Sequence, residues 1–124
     1  MESKASYREL IVWKKAMQFA VLVYKHAAKL PRIERFGLCS QLTRSASSVA
    51  ANIAEGNGRG TSRDYANFLA IARGSLLETE TFLLLAVDLN FLEEASIADT
   101  MAFSREIDRM LCGLRTKLLS RASS

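Results

Sequence analysis

The chain has 124 residues, of which 49% are hydrophobic and 24% are charged. That length fits one domain with a single hydrophobic core, and that balance excludes a disordered chain. One proline and six glycines leave few breaks, which favours long helices over many short strands.

The net charge of +4 is unevenly distributed along the chain. Residues 1–63 carry +7, residues 64–104 carry −6 and residues 105–124 carry +3. Oppositely charged blocks favour either complementary faces between helices or subunits, or a basic surface that binds nucleic acid. The sequence alone leaves both interpretations open.

Targeting signals and metal ligands are sparse. The longest uncharged run, residues 45–54, is shorter than the roughly 18 residues of a membrane span. The start, MESKASYREL, lacks the apolar core of a signal peptide, so we expect a cytoplasmic protein with no membrane partner. Cys39 and Cys112 are expected to be reduced core thiols, with a disulfide between neighbouring helices as the alternative. The single histidine, His26, predicts no metal site, and we predict no cofactor.

The first helix is predicted over residues 8–30, and Pro31 closes it. Apolar side chains at helical spacing form the stripe that we expect to face the bundle core. Its members are Leu10, Trp13, Met17, Ala20, Tyr24 and Ala27. A second stripe lies beside it and comprises Val12, Ala16, Phe19 and Val23. Two adjacent stripes exceed what one small bundle needs to cover, which suggests a subunit interface.

The second helix is predicted over residues 35–55, with Gly56 as the glycine just past its C-terminus. Arg44 is the only charged side chain in residues 36–54. A helix this poor in charge is normally surrounded by other helices, so Arg44 needs a partner from another helix. Folding the third helix back against the second places Glu78 near it, and we predict an Arg44–Glu78 contact.

The segment GNGRGTS, residues 56–62, follows this helix. Phosphate-binding loops of the P-loop and dinucleotide types follow a strand, and the P-loop also requires a lysine. Neither condition is met, so the segment predicts a tight turn with Thr61 or Ser62 capping the third helix. We expect Glu55 to contact this turn. Two arginines beside the helix N-terminus are candidates for holding a backbone phosphate; they are Arg59 and Arg63.

The third and fourth helices are predicted over residues 63–89 and 94–120. The third ends at Asn90, and Ser96 followed by Asp99 resembles a capping box at the start of the fourth. The core-facing stripe of the third helix comprises Leu69, Ala72, Leu76, Thr79, Leu83 and Ala86. Four helices joined by short loops alternate in direction, so residues 1–124 are predicted to form one all-α, antiparallel up-down-up-down four-helix bundle.

Catalysis is not predicted. Hydrolysis or phosphoryl transfer requires paired acids, a metal cluster or an activated nucleophile in a cleft. The single histidine has no serine or cysteine at a neighbouring helical position, and one histidine cannot supply the ligands of a two-carboxylate iron bundle. We therefore predict a non-enzymatic protein with no evident small-molecule substrate.

Four segments resemble the four-helix bundle proteins encoded in intervening sequences of large-subunit ribosomal RNA genes, a family often labelled ribosomal-protein-like. They are YRELIVWKKA at Tyr7–Ala16, the segment from Phe36 through Gln41 and Arg44, SVAANIAEG at Ser48–Gly56, and FLAIARGSLLE at Phe68–Glu78. The resemblance covers nearly the whole chain. It extends more weakly to the accessory proteins of diversity-generating retroelements.

The resemblance implies a four-helix bundle that assembles into a ring, a pentamer. For the retroelement relatives it implies binding to nucleic acid and to a reverse transcriptase through a basic surface. The recurring family residues fall on Arg44, Asn52, Glu55 and Gly56, which we interpret as defining the fold. Gly60 stands where a second basic residue is common, which weakens the case for phosphate binding by the turn. The family label does not make the chain a ribosome component.

Two hypotheses follow. The first is an oligomeric bundle that binds RNA, or a nucleic-acid-processing partner such as a reverse-transcriptase-like protein, through basic residues. The candidate residues are Lys14, Lys15, Lys25, Lys29, Arg59 and Arg63. The second is a protein-interaction scaffold without nucleic-acid binding. Clustered lysines on one outer face would favour the first hypothesis, whereas lysines paired with Glu80, Asp88 or Glu93 would favour the second.

Overall fold

The computed structural model describes residues 6–123, and four long helices occupy most of that range. They are α1 (Ile11–Ala27), α2 (Leu38–Asn57), α3 (Ser62–Asp88) and α4 (Glu94–Ser123). No strand occurs within residues 6–123, and the predicted all-α four-helix bundle is confirmed. The segment on which the signal-peptide expectation rests includes residues 1–5, which lie outside the described range.

The helices pack around one core in cyclic order. The second helix, α2, contacts α1 and α3, and α4 contacts α3 and α1, so α1 and α3 lie diagonally across the bundle. Near the end of α1, the His26 side chain forms a hydrogen bond with that of Thr100, near the start of α4. Lys15, near the start of α1, pairs with Glu106 farther along α4. These two contacts show that α1 and α4 run in opposite directions.

Burial confirms the predicted core stripe of α3, because all six of its residues are 0% exposed. In α1 the prediction is partly wrong. The second stripe forms the core, with Phe19 and Val23 fully buried, whereas Met17 and Tyr24 of the first stripe are 44% and 51% exposed. The second stripe contains no polar atom, while the tyrosine hydroxyl needs a hydrogen-bond partner when buried.

The first helix is shorter than the predicted range of 8–30. The Ser6 hydroxyl accepts a hydrogen bond from the Arg8 backbone N–H at 3.2 Å, which caps a separate 3₁₀ turn at Tyr7–Glu9. Leu10 is extended between that turn and α1. At the other end, Pro31 disfavours a helical conformation for the residue before it.

The second helix continues past the predicted end, because Gly56 lies inside it and is buried. A Cβ atom at Gly56 would lie 2.7 Å from Cβ of Phe68 and 3.1 Å from Cδ1 of Tyr65. This glycine therefore allows α2 and α3 to approach closely. Gly58 instead occupies the C-cap position.

The caps of α3 agree with the sequence. The Thr61 hydroxyl accepts a hydrogen bond from the Asp64 backbone N–H at 3.1 Å. At the other end Asn90 has φ 63, and the Phe91 N–H donates to the Ala86 carbonyl at 2.9 Å. This arrangement is the Schellman ending, in which a left-handed residue follows the helix.

The start of α4 and the cysteines differ from expectation. Ser96 is not an N-cap, because α4 begins at Glu94 and the Ser96 hydroxyl donates to the Glu93 carbonyl at 2.7 Å. Both cysteines are free thiols, but only Cys39 packs against the core, and Cys112 is exposed. In the described part of the chain no helix is long and apolar enough to cross a membrane.

Candidate nucleic-acid interface

Lys15, the first of the predicted basic residues, is already partnered. Its Nζ lies 2.8 Å from Oε1 of Glu106, and it stands 5.5 Å from the centroid of the Phe103 ring. Both contacts are with α4. Lys15 therefore joins two helices of its own bundle rather than presenting a free charge.

Arg59 has a similar role in the α2–α3 turn. Its Nη1 lies 4.0 Å from Oε1 of Glu55, which is the predicted contact between Glu55 and the turn. Its guanidinium lies over the half-buried ring of Phe68, 5.2 Å from the centroid. The turn residue is thus held by groups on both flanking helices.

Lys14 and Arg63 are exposed, and neither forms an ion pair among residues 6–123. They lie in the first turns of α1 and α3, which belong to the same end of an antiparallel bundle. Lys25 lies eleven residues after Lys14 on α1, a distance of about 16 Å along the helix axis. The six predicted residues therefore do not form one patch.

Lys25 and Lys29 lie at the other end of α1, and the structure adds Arg32 and Arg35 to them. All four are exposed, and within the described residues none is in an ion pair. We call these four residues, together with Phe36, the basic corner. They span the last turns of α1 and the connection to α2.

A single carboxylate, that of Glu34, lies within this stretch of the chain. Its Oε1 accepts a hydrogen bond from the backbone N–H of Leu38 at 3.2 Å. Glu34 thereby satisfies one of the free N–H groups at the start of α2. One carboxylate against four cations leaves the basic corner with a surplus of positive charge.

An aromatic ring projects from the basic corner. Phe36 is 86% exposed, and nearby Ile33 is 87% exposed, the two highest values among the large apolar side chains described. The Arg35 guanidinium lies over the Phe36 ring at 5.3 Å from its centroid. Exposed aromatic rings beside cations are typical of surfaces that bind single-stranded nucleic acid.

His26 reports the electrostatics of this region. Burial is the main cause that lowers the pKa of His26 below 6.5, and the positive charge of Lys29 lowers it further. Its Nε2 lies 2.8 Å from Oγ1 of Thr100, while its Nδ1 is buried without a hydrogen-bond partner. The imidazole is therefore neutral near pH 7, beside a corner that disfavours further positive charge.

Sequence reasoning missed Arg35 and Phe36 because it assigned residues from 35 onward to the second helix. It left Arg32 in the connection between the first two helices but did not name it as a candidate. A usable signal was present. Cations recur at positions 25, 29, 32 and 35, and the last two follow the helix-ending proline within four residues. Interpreting residues 31–37, PRIERFG, as a loop would have predicted that these side chains are exposed.

The predicted contact between Arg44 and Glu78 is not an ion pair in the described structure. Arg44 is exposed rather than interior. Both residues line one polar cleft between α2 and α3, but water can solvate each charge there, so neither requires the other. The buried hydroxyls beneath them pair instead, with Thr79 donating to Ser45 at 2.8 Å.

Asn52, a further predicted structural residue, has a defined partner on the same helix. Its side-chain amide donates to the Ser48 carbonyl at 2.8 Å and to the Ser48 hydroxyl at 2.9 Å. That hydroxyl in turn lies 3.0 Å from the Ser75 hydroxyl of α3. Asn52 therefore belongs to a hydrogen-bonded chain that crosses from α2 to α3.

Two apolar faces remain uncovered on opposite helices. An open groove of about 520 Å³ lies along α1. It is lined by Met17, Ala20, Val21, Tyr24, Lys25, Ala28 and Ser47. On α3 and its C-cap the leucines at positions 77, 84, 85 and 89 are each 39–48% exposed. Nothing among residues 6–123 covers either face.

No group of His, Cys, Asp or Glu side chains in that range has the arrangement of a metal site.

The fold and these surfaces define an all-α four-helix bundle protein with a basic corner. Residues 8–113 match the family of the 23S rRNA-intervening sequence protein. The chain belongs to this family, which confirms the resemblance noted in the sequence.

A solved structure agrees with this assignment. The chain is similar to a protein of unknown function from the S23 ribosomal protein family of Bacteroides thetaiotaomicron, whose crystal structure was determined at 1.70 Å. The TM-score is 0.75 and the sequence identity 28%, over 85% of this chain and 98% of that chain. No curated protein sequence matches the chain. Neither the family nor the solved relative indicates a catalytic activity.

Proposed function

We propose that this protein binds RNA through the basic corner, without catalysis. The observation that supports the proposal is four exposed cations between positions 25 and 35, with no ion pair to any of them in the described chain. Elsewhere Lys15 and Arg59 each lie beside an acidic side chain of the same bundle. Cations without acidic partners are available to phosphates, and their binding releases counterions from RNA.

A titration with a fluorescently labelled RNA hairpin, repeated at several salt concentrations, tests this proposal. We expect log affinity to fall linearly with log salt, because each neutralised phosphate releases counterions. The double variant Lys29→Glu/Arg32→Glu should bind at least roughly tenfold more weakly and with a shallower slope. Arg109→Glu/Lys117→Glu is the matched control, because it changes the net charge equally at exposed positions of α4.

The outcome also separates the two hypotheses. Equal losses in both double variants would mean that net charge, not the corner, determines binding. Affinity that does not depend on salt would contradict phosphate contacts. Absence of binding by the unmodified protein would leave a protein-interaction scaffold, with a reverse-transcriptase-like protein as one partner class to examine.

Self-association is a second proposed property, and the two uncovered apolar faces support it. They lie on α1 and α3, which are diagonal in the bundle, so they point away from each other. Each face has a charged border: Lys25 borders the α1 groove, and both Glu94 and Arg105 border the cleft beside Leu84, so Lys25 of one copy can pair with Glu94 of the next. Contacts between unlike faces are head-to-tail, and they close into a ring when the rotation permits.

Light scattering of the purified protein tests this property. We expect a homo-oligomer, and the family resemblance implies a pentamer. Val21→Glu places a carboxylate in the α1 groove and should shift the mass to that of the monomer, because burying an unpaired charge is costly. Gln18→Glu adds the same group on the same helix outside the groove lining and should leave the mass unchanged. A monomeric unmodified protein would refute the property.

A further inference from the structure

We propose that the basic corner recognises unpaired bases of single-stranded RNA by stacking them on the Phe36 ring. This inference rests on the RNA binding proposed above and names the class of RNA. The ring is 86% exposed, and it stands among cations on a connection between two helices. Because the ring is so exposed, it contributes little to the packing of the bundle's own core.

The connection that presents the ring has a defined backbone. The Glu34 N–H donates to the Pro31 carbonyl at 2.9 Å, the Arg35 N–H to the Arg32 carbonyl at 3.0 Å, and the Gly37 N–H to the Glu34 carbonyl at 3.1 Å. Leu30 and Leu38 are buried on either side and anchor both ends. Phe36 is therefore presented by an ordered turn, so little ordering entropy is lost when a base stacks on it.

The position of Arg35 favours RNA over a lipid surface. Its guanidinium lies over the Phe36 ring, so inserting the ring into hydrocarbon would require the guanidinium to turn away to the headgroups and give up this contact. Stacking a base on the ring leaves the guanidinium in water and close to the adjoining phosphate. Stacking platforms with a cationic border bind single strands in this way.

The same geometry disfavours duplex RNA. Bases inside a helix are stacked on their neighbours and cannot open onto a side chain without unpairing, so aromatic side chains select unpaired bases. Glu93 and Glu94 occupy the other connection at this end of the bundle. These acidic residues repel a wide phosphate surface there. A strand that crosses only the α1–α2 connection avoids them.

Phe36→Ala is the decisive variant, tested by anisotropy against a short labelled oligouridylate and against a blunt RNA duplex of equal length. We expect a loss of roughly tenfold for the single strand, the effect of removing one base–aromatic stack. The affinity for the duplex should change by less than about twofold, because paired bases cannot stack on the ring. The salt slope should be unaltered because no phosphate contact is removed. Ile11→Ala, which removes an exposed apolar side chain at the other end of α1, is the control.

A spectroscopic measurement provides a second readout. In a Trp13→Phe background, Phe36→Trp supplies one indole at the stacking position, and we expect single-stranded RNA to quench its fluorescence while preserving the affinity. A tryptophan placed at position 11 instead should show no quenching. Because Phe36 is exposed, circular dichroism should confirm that all these variants fold.

The outcomes separate the failure of each proposal. Unchanged single-strand affinity in Phe36→Ala, with loss in Lys29→Glu/Arg32→Glu, would overturn stacking and leave RNA binding by charge. Equal losses for single strand and duplex would also overturn it. Binding by neither RNA would refute both proposals. Binding to anionic vesicles, weakened by Phe36→Ala and without RNA binding, would show that the corner docks on a lipid surface instead.

Discussion

Two connections of this bundle contain an arginine lying over a phenylalanine ring, with different consequences. In the α2–α3 turn Arg59 lies 5.2 Å from the Phe68 ring centroid, and in the α1–α2 connection Arg35 lies 5.3 Å from that of Phe36. Phe68 is half-buried against α2, and Arg59 also pairs with Glu55. Phe36 is 86% exposed, and Arg35 has no acidic partner in the described chain.

The same residue pair thus occurs once with partners inside the bundle and once without them. What differs is whether the ring and the cation already have partners inside the bundle. At the turn both have partners inside the bundle, so substitutions there act on stability, the half-buried ring much more than the exposed arginine. At the basic corner neither is engaged, so removal affects only what binds there. Matched variants at the two sites test this distinction.

The largest expected difference concerns the rings. Phe68→Ala should lower the free energy of unfolding by about 2–3 kcal/mol, somewhat less than for a fully buried phenylalanine. Phe36→Ala should change it by less than about 0.5 kcal/mol, as expected for a surface substitution. Urea denaturation of both variants measures these values. Similar losses in the two variants would contradict the distinction between the connections.

The next prediction concerns the close approach of α2 and α3 beside the turn. Gly56→Ala should destabilise the protein by about 1–3 kcal/mol, because the new methyl group would lie 2.7 Å from Cβ of Phe68. Gly74→Ala is the matched control, since no atom lies within 4 Å of its added methyl group. In the middle of α3, that control should stabilise by about 0.5–1 kcal/mol. Thermal unfolding of both variants checks the opposite signs.

The core faces of α3 and α1 show how far the sequence predicts the fold. Helix periodicity identified the core face of α3 because Leu69, Leu76 and Leu83 recur at the spacing of one helix face and all are fully buried. It misassigned α1, where two apolar stripes compete and only packing against α2 and α4 decides which one faces inward. Fold class depends on local patterns, whereas the rotation of a helix depends on its neighbours.

The candidate site was less predictable for a related reason. The sequence identified Lys25 and Lys29 as basic candidates but placed Arg35 and Phe36 at the start of a helix. That helix begins only at Leu38, because the residues after Pro31 form a 3₁₀ turn instead. Whether a cation has an acidic partner is a property of tertiary contacts, so Lys15 and Lys29 are indistinguishable by sequence. Only the structure shows Lys15 paired with Glu106.

A smaller effect is expected from the two arginines. Arg35→Gln should reduce the salt slope for RNA binding by about 0.7, the value for one phosphate of a single strand, and should not affect stability. Arg59→Gln should leave RNA binding unchanged. Its ion pair spans 4.0 Å between side chains that are 49% and 56% exposed, so its removal should cost at most about 0.5 kcal/mol. If Arg59→Gln reduced the salt slope and Arg35→Gln reduced stability, the α2–α3 turn and not the α1–α2 connection would be the RNA-binding one.

The smallest effect concerns the electrostatic field of the basic corner, which His26 reports. Burial and the charge of Lys29 lower the pKa of His26 below 6.5 in the folded protein. Titration of the imidazole by NMR should therefore give a value below 6.5. In Lys29→Gln this pKa should rise part of the way back, because one of its two causes is removed. Lys14→Gln, near the start of the same helix, should leave it unchanged.

The lowered pKa of His26 also determines the direction of a stability change. The unfolded chain binds the proton near pH 6.5, whereas the folded protein binds it only at lower pH. As pH falls below 6.5 the unfolded state gains protons first, so the free energy of unfolding decreases until the folded pKa is passed. His26→Gln should flatten this dependence at pH values just below 6.5, as measured by urea denaturation at a series of pH values. An unaltered slope in His26→Gln would assign the pH dependence to the carboxylates and leave the NMR titration as the measure of the corner's field.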